Sequence, residues 1–422
     1  MDAVRTIAEM YDARRDEVSS MLQRELGAPA KFAHDVQAAL FKYQSDQFLT
    51  VAESFPWEID LGRSLVVKEP VGVVSAITPW NWPLFQIAAK VVPALLAGCS
   101  IVLKPSEVAP LNAFVLAEVV ERAEADGVLP PGVFNLVSGT GAGPAAAGEA
   151  LASHPLSDMV SFTGSTNAGR RVHRSGASPK LKRVRSELGG KSACVVLDDA
   201  DPALVERFAL HALENSGQTC SARARMIVPR DRYEEIVDVA AEAYEAVRVV
   251  RADDPDGGRG DIGPLASAAQ WERVRGYIRS GIEDGARLVA GGLDRPDGVP
   301  AGGYFVRPTV FADVEPRMTI AQEEIFGPVL CIMPYSGDVD EAVSMANGTE
   351  YGLSGAVLGA DEGRAREVAR RMRAGEVFVN TLSQSPVAPF GGYGQSGDGR
   401  ELGAWGLEEF LQVKAIHRRP QK

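Results

Sequence analysis

Gly72-Val73-Val74-Ser75-Ala76-Ile77-Thr78-Pro79-Trp80-Asn81-Trp82-Pro83 is the stretch on which the fold turns. Val73–Ile77 is nearly continuous in apolar residues, which predicts a strand buried on both faces of a parallel sheet. Two prolines then fix the backbone, two tryptophans wall a cleft, and a helix begins near Leu84. Asn81 is left with its amide at the carboxyl end of the strand, where open α/β sheets bind their ligands. The same residues also read as rigid packing, so the motif alone leaves both possibilities open.

The alternation recurs on both sides. Short β-rich runs at Ile101–Leu103, Phe134–Val137, Met159–Phe162 and Cys194–Leu197 are separated by Ala-rich helical stretches. After Cys220 come Met226–Val228, Val329–Met333, Ala356–Leu358 and Val377–Val379. This pattern predicts two α/β domains with parallel sheets covered by helices, the boundary falling near Gly189-Gly190. Upstream, Ile7, Tyr11, Val18 and Leu22 recur at helical spacing, predicting one helix that stops at Gly27-Ala28-Pro29. A second helix is predicted from about Phe32 to Val51. Trp57–Val67 contains Asp60-Leu61-Gly62-Arg63 and reads as a projecting hairpin.

Composition narrows the function. The chain has 422 residues, 45% hydrophobic and 24% charged, with a formal net charge of −12. The length allows two or three domains. The acidic balance argues against a nucleic-acid binder. Cys99, Cys194, Cys220 and Cys331 form no CxxC, and no zinc spacing appears, so no metal is expected. Ile87–Leu103 is broken by Lys90, Pro93 and Gly98 and cannot span a bilayer. With no signal-like N-terminus, the chain reads as cytoplasmic, with reduced thiols.

Cys99, Cys194 and Cys331 sit among Ile, Val and Leu and read as small buried hydrophobes. Cys220 differs: Asn215-Ser216-Gly217-Gln218-Thr219-Cys220-Ser221 is small and polar, a setting in which a thiol can meet a substrate. Glu187, in Glu187-Leu188-Gly189-Gly190-Lys191, reads as a surface acid before a turn or, if buried, as a general base with a raised pKa. Phe162-Thr163-Gly164-Ser165 ends a strand and opens a helix, as a pyrophosphate site does. Leu103-Lys104-Pro105-Ser106-Glu107 also ends a strand and offers ribose partners. There is no GxGxxG; Gly139-Thr140-Gly141-Ala142-Gly143-Pro144 has proline where that fingerprint needs glycine.

Together and in order, Pro79–Pro83, Phe162–Ser165, Glu187–Lys191 and Gly217–Cys220 strongly resemble motifs of the aldehyde dehydrogenase superfamily. Glu323-Glu324-Ile325-Phe326-Gly327-Pro328 and Pro389-Phe390-Gly391-Gly392-Tyr393 extend the resemblance, which runs from about Val4 to Arg418. It implies an α/β fold with a Rossmann-type cofactor domain (1–52 and 71–188), an α/β catalytic domain (189–410) and a small β oligomerisation element (53–70 and 411–422). Cys220 is then the nucleophile, Glu187 the base, Asn81 an oxyanion donor, and Lys90 and Glu401 a proton relay. NAD, with NADP as the alternative, is implied at Glu324, Phe326, Lys104, Glu107 and Ser165. The implied cofactor contacts extend to Ile77, Thr78, Pro79, Trp80, Ser106, Gly143, Phe162, Gly164, Leu188 and Gly189. Glu107 would repel a 2′-phosphate, which favours NAD.

The C-terminal half looks closest to bacterial semialdehyde and oxo-acid dehydrogenases. Trp82, Phe85, Glu214 and Phe390 are implied to line the aldehyde tunnel. Ala89, where many relatives carry a large aromatic residue, implies a roomy pocket. Gly394 replaces the lysine usual after Gly-Gly-Tyr. The chain opens partway through the family's first helix, an expectation that bears on stability more than on chemistry. The hairpin and the segment 412–418 imply a homodimer or homotetramer. Three other readings stand beside the hydrolytic enzyme: an acylating dehydrogenase passing its thioester to coenzyme A or phosphate, a cofactor-free thiol esterase, and a non-catalytic binding protein.

Overall fold

The computed structural model describes residues 1–140, 146–177 and 180–419. Its strands are β1 (Glu58–Asp60), β2 (Ser64–Pro70), β3 (Val73–Ile77), β4 (Ser100–Lys104), β5 (Phe134–Leu136), β6 (Met159–Thr163), β7 (Arg183–Glu187) and β8 (Ala193–Val196). They continue with β9 (Arg225–Pro229), β10 (Arg287–Ala290), β11 (Thr309–Ala312), β12 (Val329–Tyr335), β13 (Ser354–Leu358), β14 (Glu376–Val379) and β15 (Leu411–His417).

These strands form three sheets, ordered β5-β4-β3-β6-β7, β10-β11-β12-β9-β8-β13-β14 and β1-β2-β15. The first is parallel throughout. In the second only β10 runs antiparallel to its neighbour. Along β12, Leu330 and Ile332 pack into one apolar cluster while Cys331 and Met333 pack into another, so both faces of the larger sheet are buried. That explains why its strands read as unbroken apolar runs. The hairpin β1-β2 is completed by β15 from the far end of the chain, paired from Leu411↔Pro70 to His417↔Ser64.

Three strands escaped the sequence reading. β7 reads Arg-Val-Arg-Ser-Glu because it is a sheet edge: Arg185 pairs with Glu409 and Asp398, and Arg183 donates to the carbonyls of Glu409 and Leu411. β10 and β11 flank a Gly/Pro-rich stretch, residues 291–303, that breaks the apolar alternation. The helices also differ from expectation. The single first helix is two, Asp2–Asp12 and Arg15–Leu26. Tyr11 and Val18 stay in phase across the break, so periodicity could not reveal it. Gly27 ends the second helix at φ 73, as its sequence signal requires. The predicted 32–51 helix is interrupted by a π-helical turn at Ala33–Gln37, where Ala38 N donates to Ala33 O at 2.8 Å. A regular helix resumes at Leu40–Ser54. Among the described residues no helix is long and apolar enough to cross a membrane.

Candidate active site

Strand register gathers the site. Ile77 pairs with Lys104 on one side and Phe162 on the other, and Thr163 pairs with Glu187. The carboxyl ends of β3, β4, β6 and β7 are therefore level. Strand order reverses beside β3, the point where open α/β sheets leave a crevice. A cleft of about 490 Å³ lies there, with Pro79, Trp80, Gly164, Ser165, Gly189, Cys220, Glu324 and Phe326 in its wall.

Cys220 is partly exposed in that wall, whereas Cys99, Cys194 and Cys331 are buried. Three left-handed residues lead to it: Asn215 and Ser216 at φ 57 and Gly217 at φ 72. Side chains do not adopt that conformation without support. Here Asn215 Nδ2 donates to Asn81 O at 2.8 Å and Gln218 O at 3.3 Å, and Ser216 Oγ donates to Gly263 O at 3.0 Å. Gly217 is required by close approach, since a Cβ there would lie 2.2 Å from Gly327 O. Burial first, then the charges of Glu324, Glu187 and Glu401, push the Cys220 thiol above its ordinary value. Asn81 Nδ2 donates to Gln218 O at 2.9 Å, which ties the amide two residues from the sulfur.

Glu187 ends β7 and is 3% exposed. Among the described residues neither of its carboxyl oxygens has a hydrogen-bond partner. Its pKa is held well above the ordinary carboxyl value, chiefly by burial and next by the charge of Glu401; Lys90 and Arg400 oppose this. The carboxyl lies against Gly391, where a Cβ would come within 2.7 Å of Oε1. Lys90 Nζ and Glu401 Oε1 form a buried ion pair at 2.6 Å, and a small cavity joins that pair to Glu187 and Ala89. A two-bond bridge between Phe390 and Glu401 links this cluster to the aromatic side of the site.

On the other side, the Glu324 carboxyl accepts from Gly190 N at 2.9 Å, and burial raises its pKa to about 7. Phe326, left-handed at φ 63, sets its ring edge-on to Trp80 at 5.5 Å. Ser165 caps the helix Thr166–Gly176, its Oγ accepting from Ala168 N at 3.3 Å, and that helix start opens on the cleft. Lys104 Nζ reaches Glu107 Oε2 at 3.1 Å at the end of β4. Ile77, Thr78 and Ser106 are buried at the same strand ends, Phe162 sits beneath Gly164, and Leu188 lines the cleft. Gly143 lies outside the described residues.

Trp82, Phe85 and Phe390 pack into the apolar cluster that also takes in Cys220. Phe85 and Phe390 meet edge-on at 6.4 Å, and Trp82 Nε1 donates to Thr219 Oγ1 at 3.0 Å. Glu214 is ion-paired: Arg259 Nη2 lies 2.6 Å from its Oε1. Ala89, 1% exposed, borders the small cavity beside Lys90 and Glu187. Sequence reasoning also missed Phe32, edge-on to Trp82 at 5.6 Å, and Gln270 and Arg273 in the cleft wall. The last two stand one turn apart on the helix Ala268–Glu283, where their spacing looks like any solvated face.

The chain matches the family model described as "Aldehyde dehydrogenase family" over residues 1–416. It is 47% identical to a 3-succinoylsemialdehyde-pyridine dehydrogenase from Pseudomonas sp. over 421 residues, 99% of this chain and 85% of that protein. A Mycobacterium tuberculosis aldehyde dehydrogenase crystallised with NAD+ superposes with a TM-score of 0.93 at 41% identity, covering 100% of this chain and 85% of that one. A mutant of aldehyde dehydrogenase C from Pseudomonas syringae, crystallised with NAD+ and octanal, gives 0.92 at 44%, covering 99% and 83%. With these matches running nearly end to end, the chain belongs to the aldehyde dehydrogenase family.

Proposed function

We propose that this protein oxidises an aldehyde to a carboxylic acid with NAD, through a thioester on Cys220. The observation that carries the reading is the position of Cys220 in the cleft wall, between the Glu324–Gly190 contact and the strand ends that hold Asn81 and Glu187. The cleft suits NAD: an eleven-residue helix starts there capped by Ser165, Trp80 and Phe326 form an aromatic wall, and Glu324 in the wall and Glu107 after β4 would accept from ribose hydroxyls. Glu107 would repel a 2′-phosphate on the adenosine ribose, which favours NAD over NADP. The relatives from M. tuberculosis and P. syringae that hold NAD+ support the same cofactor.

Bound NAD supplies the acceptor for the hydride. Cys220 gives its proton to solvent in the cleft as its sulfur attacks the aldehyde carbon, giving a thiohemiacetal. Asn81 Nδ2 and the Cys220 backbone N–H hold the oxyanion. After oxidation the thioester remains on Cys220. Glu187 takes a proton from water, the water oxygen attacks the acyl carbon, and the acid leaves as the thiol is restored. Lys90 and Glu401 carry the proton away from Glu187 through the cavity they share.

Residues 1–52 and 71–188 hold the cofactor, 189–410 carry the chemistry, and 53–70 with 411–422 associate copies of the chain into a dimer or tetramer. Residues 420–422 of the last segment lie outside the described residues. The octanal of the P. syringae relative and the pyridyl semialdehyde named for the Pseudomonas relative both have apolar bodies. Trp82, Phe85 and Phe390 suit such a body, so an aldehyde with an aromatic or alkyl tail is favoured over a short charged one. An aldehyde panel read by NADH absorbance tests this: turnover without added coenzyme A is expected, and a strict coenzyme A requirement would establish the acylating reaction instead.

A further inference from the structure

We propose that Gln37 is a positioning residue for the oxyanion-binding corner, acting through the side chain of Asn215. This rests on the reading of Asn81 as the oxyanion donor. Gln37 closes the π-helical turn Ala33–Gln37 and is 1% exposed. Its Nε2 donates to Asn215 Oδ1 at 2.9 Å, although the two residues are 178 apart in sequence.

The direction of that bond is forced. Asn215 Nδ2 faces two backbone carbonyls, Asn81 O at 2.8 Å and Gln218 O at 3.3 Å, which can only accept. Its Oδ1 must therefore face Gln37, and Gln37 must donate. Gln218 O accepts from Asn81 Nδ2 as well. The Gln37 contact thus adds a third bond to the one orientation of the Asn215 amide that braces both Asn81 and the residue two before the nucleophile. It also supports a left-handed asparagine next to a left-handed serine, a backbone that needs external bonds to persist.

Gln37 Oε1 has no hydrogen-bond partner among the described residues. A buried amide with an idle acceptor is poorly explained by packing alone, because an apolar side chain of the same shape would avoid that penalty. The π turn adds a second, independent sign, since such turns recur where a helix must deliver a side chain to a site.

The test uses Gln37→Met, which keeps the shape and removes the donor, and Gln37→Glu, which sets an acceptor against Asn215 Oδ1 and favours the opposite amide orientation. Both are assayed for aldehyde oxidation with NAD and for cofactor-free hydrolysis of a p-nitrophenyl ester. For Gln37→Met, kcat is expected to fall by about 10- to 100-fold in both assays, with Kd for NAD unchanged and Tm within about 4 °C of wild type. Gln37→Glu should fall further. Unchanged kcat would overturn the proposal, as would a joint collapse of Tm and NAD binding, which marks a general packing role. If wild type hydrolyses the ester but oxidises no aldehyde, the oxidation reading fails while the fate of the ester rate in the variants still decides for or against Gln37.

Discussion

Lys90 and Glu401 meet at 2.6 Å with their side chains only 2% and 6% exposed, sharing a small cavity with the Glu187 carboxyl, which has no hydrogen-bond partner among the described residues. Removing Lys90 leaves the Glu401 carboxylate a buried charge without its cation, held among the described residues only by the Thr163 hydroxyl at 3.4 Å. Lys90→Met should therefore cost about 3–5 kcal/mol in chemical denaturation. The double variant Lys90→Met/Glu401→Gln should recover part of that loss. Additive losses in the two single variants and the double would argue that the pair is not coupled.

Cys220→Ala should reduce aldehyde-dependent NADH formation by at least about 10³-fold, since no other group can form the thioester. Calorimetry should still detect NAD binding, because Glu324, Ser165 and the helix start are untouched. Residual activity near wild type would remove Cys220 from the mechanism.

Asn81→Ala should lower kcat by about 10²–10³-fold, the loss typical of one oxyanion donor. Substrate KM should change far less. A loss confined to KM would instead make Asn81 a substrate-binding residue.

As the proposed base, Glu187 should set the acid limb of the pH profile. Its pKa lies well above the ordinary carboxyl value, so the deprotonated, basic form is lost as pH falls through that raised value. Activity should rise with pH across this range. Glu187→Gln should lower thioester hydrolysis by about 10²–10⁴-fold and erase the limb. Rapid-quench measurement of the acyl-enzyme separates this step from hydride transfer.

Glu324 makes a stability prediction of definite sign. Its pKa rises from 4.5 unfolded to about 7 folded, so the native state holds a proton that the unfolded chain releases. Its contribution is fully present below the unfolded value and falls as pH climbs from about 4.5 to about 7, by at most about 1.4 kcal/mol per pH unit. Glu324→Gln should flatten that part of the slope in Tm-versus-pH scans. Glu25, also raised to about 7 by burial, leaves a remainder of the same sign.

The two glycines after Leu188 should differ. A Cβ at Gly189 would lie 2.4 Å from Glu324 Oε2, a movable side chain, whereas one at Gly190 would lie 2.5 Å from the Cys220 backbone carbonyl. Gly189→Ala should weaken NAD binding by about tenfold, or ~1.4 kcal/mol, with the fold intact. Gly190→Ala should displace the nucleophile turn and lower kcat as well.

Much of this site was legible before folding because its parts are contiguous. Thr78–Pro83 directly follows its strand, Ser165 directly precedes its helix, and Cys220 has polar neighbours unlike those of the other three thiols. What could not be read are the partners. The ion pair of Glu214 gave no signal because Arg259, its partner, lies 45 residues away. β7 looked like no strand because a sheet edge lets arginines alternate with smaller residues. Gln37 had no signal at all: one glutamine in an amphipathic helix is ordinary until a π turn aims it at another loop.

By itself, the sequence determined the alternating α/β plan, the place of each motif at a strand or helix end, and the chemistry those residue types can perform. These depend on local periodicity and on backbone rules for proline and glycine, which act over a few residues. Only the tertiary structure decided which motif ends are level, which acids are buried and which charges are paired. Those outcomes arise from strand register and desolvation between segments hundreds of residues apart, as when Lys90 meets Glu401 beside the carboxyl of Glu187.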